Sequence, residues 1–161
     1  MFKNAIVRTP GKTLVAGLSS AGLGAVDYEL AIRQHGAYVD ALKTCGLQVT
    51  VLPPDEDFAD STFVEDTAVL TDKCAIITRP GAESRRLEIE RMIPAIGRYY
   101  SDIRNIRAPG TVEGGDVMRV GDHFYIGLSG RTNEHGAAQL AEHLERCGYR
   151  GSTVPVKNVL H

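Results

Sequence analysis

The chain has 161 residues, 43% hydrophobic and 24% charged, proportions of an ordinary globular protein that exclude a disordered or fibrous one. A net charge of -2 with no basic stripe excludes a nucleic-acid-binding surface. No stretch approaches the roughly 18 apolar residues of a membrane span, MFKNAIVRTP lacks the apolar run of a signal peptide, and the length predicts one domain.

Ala5 to Arg8, apolar and β-branched before Thr9-Pro10-Gly11, predicts a first strand. The glycine-rich stretch that follows, GKTLVAGLSSAGLGAVD, reads either as a lid over a site or as a plain surface connection. Asp27 is a candidate helix N-cap, and Tyr28, Ala31, Ile32, His35, Val39 and Leu42 recur at helical spacing until Cys45-Gly46. Leu47 to Leu52 alternates as a strand does and stops at Pro53-Pro54. Ala68 to Leu70 and Cys74 to Ile77 flank a polar turn and predict a β-hairpin. Leu87 to Tyr100 has helical spacing, with Pro94 as a kink or an early stop. Ile103 to Ile106 predicts a short strand, Val117 to Ile126 a second hairpin, Ala137 to Cys147 a third helix, and STVPV a last strand.

Two internal matches organise this series. The hairpins open on Val64-Glu65-Asp66 and on Val112-Glu113-Gly114-Gly115-Asp116, with Glu65 and Glu113 48 positions apart. Leu42, Cys45 and Gly46 fall over Leu144, Cys147 and Gly148, 102 positions on. A repeat of about 50 residues accounts for both, and such units need neighbours to bury their faces. The pattern therefore predicts α/β modules around a common centre, against the plainer alternative of one sheet with helices on both faces. With nothing after His161 to cap the last strand, the series reads as cut short.

Asp60, Glu65, Asp66, Glu113 and Asp116 stand at or just before strand starts. Modules around an axis would converge these acids, and clustered carboxylates demand a cation. A guanidinium suits them through its planar fork of donors, and Mg²⁺ or Ca²⁺ is the rival. Arg85 and Arg131 occupy equivalent loops after the hairpins and would hold an anionic group opposite the acids. Such a pocket describes an amino acid with a cationic side chain. His35, His135 and His143 show no metal-ligand spacing, His123 reads as a packed or exposed strand residue, and the position of His161 alone carries no reading. Cys45, Cys74 and Cys147 are odd in number and lack C-x-x-C spacing, which predicts reduced thiols in a cytoplasmic protein and no zinc site.

The strings FVEDTAV, AIITRPGAESRR, VEGGDV, FYIGLSGRTN and VLH, in this order, resemble dimethylarginine dimethylaminohydrolases, members of the guanidine-modifying (amidinotransferase and arginine deiminase) superfamily. The resemblance runs from the first strand to the last residue. It implies an α/β pentein fold, a propeller of five ββαβ-like modules, with residues 1–161 a single incomplete catalytic domain holding about three of them. It also implies hydrolysis of Nω-methylated arginine to citrulline and a methylamine through a cysteine-bound thiouronium, without cofactor or metal. His161 matches the histidine that protonates the departing amine, and Glu113 the acid that works with it and grips the guanidinium. Asp66 matches a second guanidinium-binding carboxylate, with Glu65 and Asp60 as neighbours. Arg85 and Arg131 match residues that hold the amino-acid end, and Leu18 a lid residue that touches substrate through its backbone.

None of the three cysteines matches the family's nucleophile, which lies further along a longer chain, so the polypeptide is expected to be inactive alone. An arginine deiminase or citrulline hydrolase relative, and a non-catalytic guanidinium-binding module, remain open. The partner expected is a small molecule, with no nucleic acid and no membrane, and homodimer formation is left open.

Overall fold

The computed structural model describes residues 2–19, 22 and 24–161 and divides into two compact units, Met1–Val64 and Glu65–His161. Positions 20, 21 and 23 of the glycine-rich stretch lie outside the described residues.

In the first unit, strand β1 (Asn4–Arg8) pairs in parallel with β2 (Gln48–Leu52), and helix α1 (Tyr28–Thr44) connects them. The Asp27 side chain accepts the Leu30 N–H at 2.9 Å, which makes it the N-cap that the sequence predicts.

The second unit builds one pattern twice. Strands β3 (Ala68–Leu70) and β4 (Ala75–Ile77) form an antiparallel hairpin, helix α2 (Glu88–Ile96) follows, and β5 (Ile103–Asn105) returns in parallel beside β4. Strands β6 (Val117–Val120) and β7 (His123–Leu128), helix α3 (Glu134–Arg146) and β8 (Arg150–Pro155) repeat the order β6-β7-β8 with the same directions. Helix α2 is shorter than its periodicity predicts. Pro94 lies inside it without stopping it, and the helix ends at Ile96 with Gly97 as its cap.

The 102-residue match has a physical basis in how α1 and α3 end. The Leu47 N–H reaches the Leu42 carbonyl at 3.2 Å and the Gly46 N–H the Lys43 carbonyl at 2.8 Å. Tyr149 to Leu144 and Gly148 to Glu145 repeat these bonds at 3.0 and 2.8 Å. Both are Schellman caps, which need a left-handed residue after the helix, and Gly46 and Gly148 supply it at φ of 84° and 80°.

A hydrophobic core lies within the second unit. Ala137, Leu140 and Leu144 of α3 pack with Phe124 and Ile126 of β7, Val69 of β3 and Ile76 of β4. Phe124 and Ile126 face inward while Tyr125 between them is exposed, the alternation of a sheet with one covered face. Cys74 and Cys147 are paired as a disulfide within this core. This corrects the expectation of three reduced thiols: the fold brings together two cysteines 73 positions apart, which spacing along the chain does not reveal. Cys45 is free and exposed.

Candidate active site

Each hairpin of the second unit is approached through a short 3-10 turn, Val64–Thr67 before β3 and Gly114–Asp116 before β6. The first turn carries Glu65 and Asp66, the second carries Asp116 with Glu113 just before it, and Asp66 and Glu113 come together with His161. Ligand-capable atoms of these three residues all lie within 4.8 Å of one another. Two glycines permit the approach. A side chain on Gly114 would run into the Glu65 carbonyl oxygen, and a Cβ on Gly115 would sit 2.8 Å from the His161 ring and 3.0 Å from Asp66 Oδ1. The paired glycines of VEGGD are thus a steric requirement of the cluster.

Asp66 is buried, and its polar atoms are matched. Oδ1 accepts the Gly115 N–H at 2.9 Å, Oδ2 accepts Arg85 Nη1 at 2.5 Å, and the Thr78 hydroxyl donates to its carbonyl at 2.6 Å. Glu113 is 1% exposed. Its Oε1 accepts the Ala82 N–H at 3.2 Å and Arg131 Nη1 at 3.3 Å. Asp116 Oδ2 accepts the hydroxyls of Ser129 at 2.7 Å and Thr132 at 2.6 Å, and Oδ1 lies 3.1 Å from His161 Nδ1. His161 Nε2 faces Asp66 Oδ1 at 3.9 Å.

The arginines stand differently from the two-ended pocket that the sequence suggests. Arg85 is buried, grips both carboxylate oxygens of Glu88 through Nε at 3.1 Å, and reaches Asp66 through Nη1. Arg131 pairs with Glu113. Each arginine therefore neutralises an acid of the cluster, as buried carboxylates require. Burial works against the charge of Arg85, but Glu88 and Asp66 outweigh it and hold the guanidinium more firmly protonated than usual.

Glu65 is exposed in area, yet desolvation by the surrounding protein raises its pKa. Its own backbone N–H opposes the shift, the charge of Asp66 adds to it, and Arg85 and His161 counter it. Leu18 and Asp60 belong to the first unit, where the Leu18 N–H donates to Asp60 Oδ1 and Oδ2 at 3.0 and 3.2 Å.

Sequence reasoning did not single out Thr78, Glu88, Ser129 and Thr132. Thr132 has a double role: its hydroxyl donates to Asp116 and accepts the Glu113 N–H at 3.1 Å. Its signal was its place in GRTN, between the arginine that meets Glu113 and Asn133, which caps α3 by accepting the Gly136 N–H at 2.8 Å.

Two carboxylates and an imidazole converging on one small volume can accept the N–H groups of a guanidinium and exchange a proton with a group beside it. The same three side chains would also offer ligand atoms to a metal ion. Among the described residues no helix is long and apolar enough to cross a membrane.

The chain is 56% identical to the N(G),N(G)-dimethylarginine dimethylaminohydrolase of Pseudomonas aeruginosa over 162 residues, covering all of this chain and 64% of the relative. It superposes on a solved Pseudomonas aeruginosa structure, a cysteine-to-serine mutant complexed with citrulline, with a TM-score of 0.98 and 53% identity, over the whole of this chain and 64% of that one. The fold is also similar to the N-terminal domain of ArgZ, a cyanobacterial arginine dihydrolase bound to its substrate, with a TM-score of 0.82 over 95% of this chain and 58% of that one, at 15% identity. The chain thus spans less than two thirds of the length of the Pseudomonas relative. The family model for eukaryotic N,N dimethylarginine dimethylhydrolases matches residues 24–160. The mixed α/β chain with its acid-and-histidine cluster belongs to the dimethylarginine dimethylaminohydrolase family.

Proposed function

We propose that the protein takes part in hydrolysis of Nω-methylated arginine to citrulline and a methylamine. The observation that carries this reading is the convergence of Asp66, Glu113 and His161 within 4.8 Å. In this reading Asp66 and Glu113 accept N–H groups of the substrate guanidinium and fix its plane. A cysteine thiolate, different from the three in this sequence, adds to the guanidinium carbon, and protonated His161 gives its proton to the departing methylamine. The product of this step is a cysteine-bound thiouronium. Water then attacks the same carbon, His161 takes up its proton, and the thiolate leaves as citrulline forms.

Arg85 and Arg131 hold the amino-acid end of the substrate, which requires them to turn part of their hydrogen bonding from Asp66 and Glu113 to a carboxylate. Glu65 borders the guanidinium from within the second unit. On this reading residues 1–161 belong to one catalytic domain, and the two ββαβ segments and the β1-α1-β2 segment are three of the five modules of a pentein propeller.

Citrulline formation from asymmetric dimethylarginine tests this, measured for the purified chain alone and mixed with a polypeptide carrying the remaining third of the Pseudomonas relative. Activity in the mixture, abolished by Glu113→Gln and by His161→Ala, is the expected result. Turnover by the chain alone would overturn the claim that its own cysteines are bystanders. Absence of turnover in both, with no binding of dimethylarginine by calorimetry, would overturn the assignment.

A further inference from the structure

Glu88 is a buried acid outside the cluster, and it claims one whole edge of the Arg85 guanidinium. Nε donates to both Glu88 oxygens at 3.1 Å, and Nη2 donates to Oε2 at 2.8 Å. The opposite corner, Nη1, is the one that meets Asp66. Arg86, next along the chain, instead donates to Glu83 and to the Pro80 carbonyl. Both sides of the Arg85–Glu88 pair are anchored. Glu88 is the first residue of α2, whose Met92, Ala95 and Ile96 are buried, and the helix dipole favours a carboxylate there. Arg85 ends the turn Glu83–Arg85, its N–H bonded to the Ala82 carbonyl at 3.1 Å, while the Ala82 N–H holds Glu113 at 3.2 Å. Burial works against the Arg85 charge, and Glu88 offsets that more than Asp66 does. The guanidinium can therefore give up its bond to Asp66 and stay both charged and in place.

We propose that Glu88 is the positioning residue for Arg85: it keeps the Nε–Nη2 edge fixed and leaves Nη1 to pass from Asp66 to the carboxylate of a ligand. The proposal rests on the reading of Arg85 as a holder of the amino-acid end, and it makes that role a pivot about Glu88. A planar fork suits such a pivot, since two nitrogens stay on one carboxylate while the third changes partner. The transfer also uncovers Asp66 Oδ2 for the N–H groups of the ligand guanidinium, so the two ends of a ligand are admitted together. Glu88 thereby favours free amino acids over cations that carry no carboxylate.

Calorimetry on the chain mixed with the remaining third of the Pseudomonas relative compares asymmetric dimethylarginine with its decarboxylated counterpart, which carries the same guanidinium and no carboxylate. Glu88→Gln is expected to weaken dimethylarginine binding about tenfold, the scale of one charge-assisted hydrogen bond, and that of the counterpart by less than about threefold. A pocket that is only destabilised would weaken both alike, and that result, or no weakening of either, overturns the proposal. Arginine ¹⁵Nε spectra, with Arg85 assigned by its loss in Arg85→Lys, follow the anchored edge directly. The Arg85 Nε–H signal is expected to move in Glu88→Gln and to stay in place when the wild type takes up dimethylarginine. Its displacement by dimethylarginine toward the Glu88→Gln position overturns the pivot. Should Glu88→Gln lose amide dispersion and fail to fold, Glu88→Asp, one methylene shorter with its charge kept, must show the same preference in smaller measure, and equal weakening of both ligands there overturns the proposal. In an active mixture Glu88→Gln is expected to raise KM for dimethylarginine by more than it lowers kcat. Binding without citrulline formation would end the hydrolase reading and leave this one standing, and no binding by the wild type would end both.

Discussion

The carbonyl oxygen of Glu65 fills the space into which a side chain on Gly114 would project. This backbone contact joins the two repeated turns and sets the separation of Asp66 and Glu113. A backbone oxygen cannot swing aside as a side chain can. Gly114→Ala should therefore cost at least the ~1–3 kcal/mol typical of overpacking, read by urea unfolding. Gly115→Ala meets the movable His161 ring instead, so it should cost less stability and displace the histidine.

Arg85 joins two buried carboxylates, Asp66 and Glu88. Arg85→Met would leave both without their guanidinium, and removing one partner from a buried ionic group costs roughly 3–5 kcal/mol. Arg85→Lys should recover only part of this, because an ammonium cannot span the Glu88 oxygens and Asp66 with a planar fork. Chemical denaturation of the two variants side by side checks the difference.

The Cys74–Cys147 pair closes a long loop, and the chain-entropy account assigns such a cross-link about 4 kcal/mol. A reducing agent should lower the melting temperature of the wild type and leave that of Cys147→Ser unchanged. Cys45→Ser should behave as the wild type does, since Cys45 is free and lies outside this core. Differential scanning calorimetry with and without reductant makes the comparison.

His35 titrates against the fold. Burial lowers its pKa, with a smaller opposing effect from the Arg8 backbone, and its buried Nε2 has no hydrogen-bond partner among the described residues. The unfolded chain binds the proton more readily than the folded one, so stability is lost as the pH falls through about 6.5, the unfolded value. Stability of the first unit to heat should weaken from about pH 7.5 to about 5.5, and His35→Gln should flatten that dependence.

The parts of the fold legible in the sequence were those set by local chemistry. Asp27 caps its helix, and Gly46 and Gly148 end theirs, each through bonds within a few residues. The two hairpins were legible because alternation and polar turns are short-range signals too. The acids of the two turns were visible as a repeat, and their convergence followed from it. What was not legible required side chains from distant loops. The direction of Arg85 depends on Glu88, three residues on but across a helix start, and on Asp66, 19 residues back. The pairing of Cys74 with Cys147 depends on α3 packing over β4. The second bond of Thr132 appears only when the β6 turn lies beside the loop after β7.

That bond has a further consequence. A single hydroxyl ties the main chain of Glu113 to the carboxylate of Asp116, so neither acid can relax alone when the other is altered. Energetically the three behave as a linked set: removing Thr132 and Asp116 together should cost less than the two losses added. Mechanically Glu113, Asp116 and Thr132 move as one piece, so a shift at any one of them is passed to the other two.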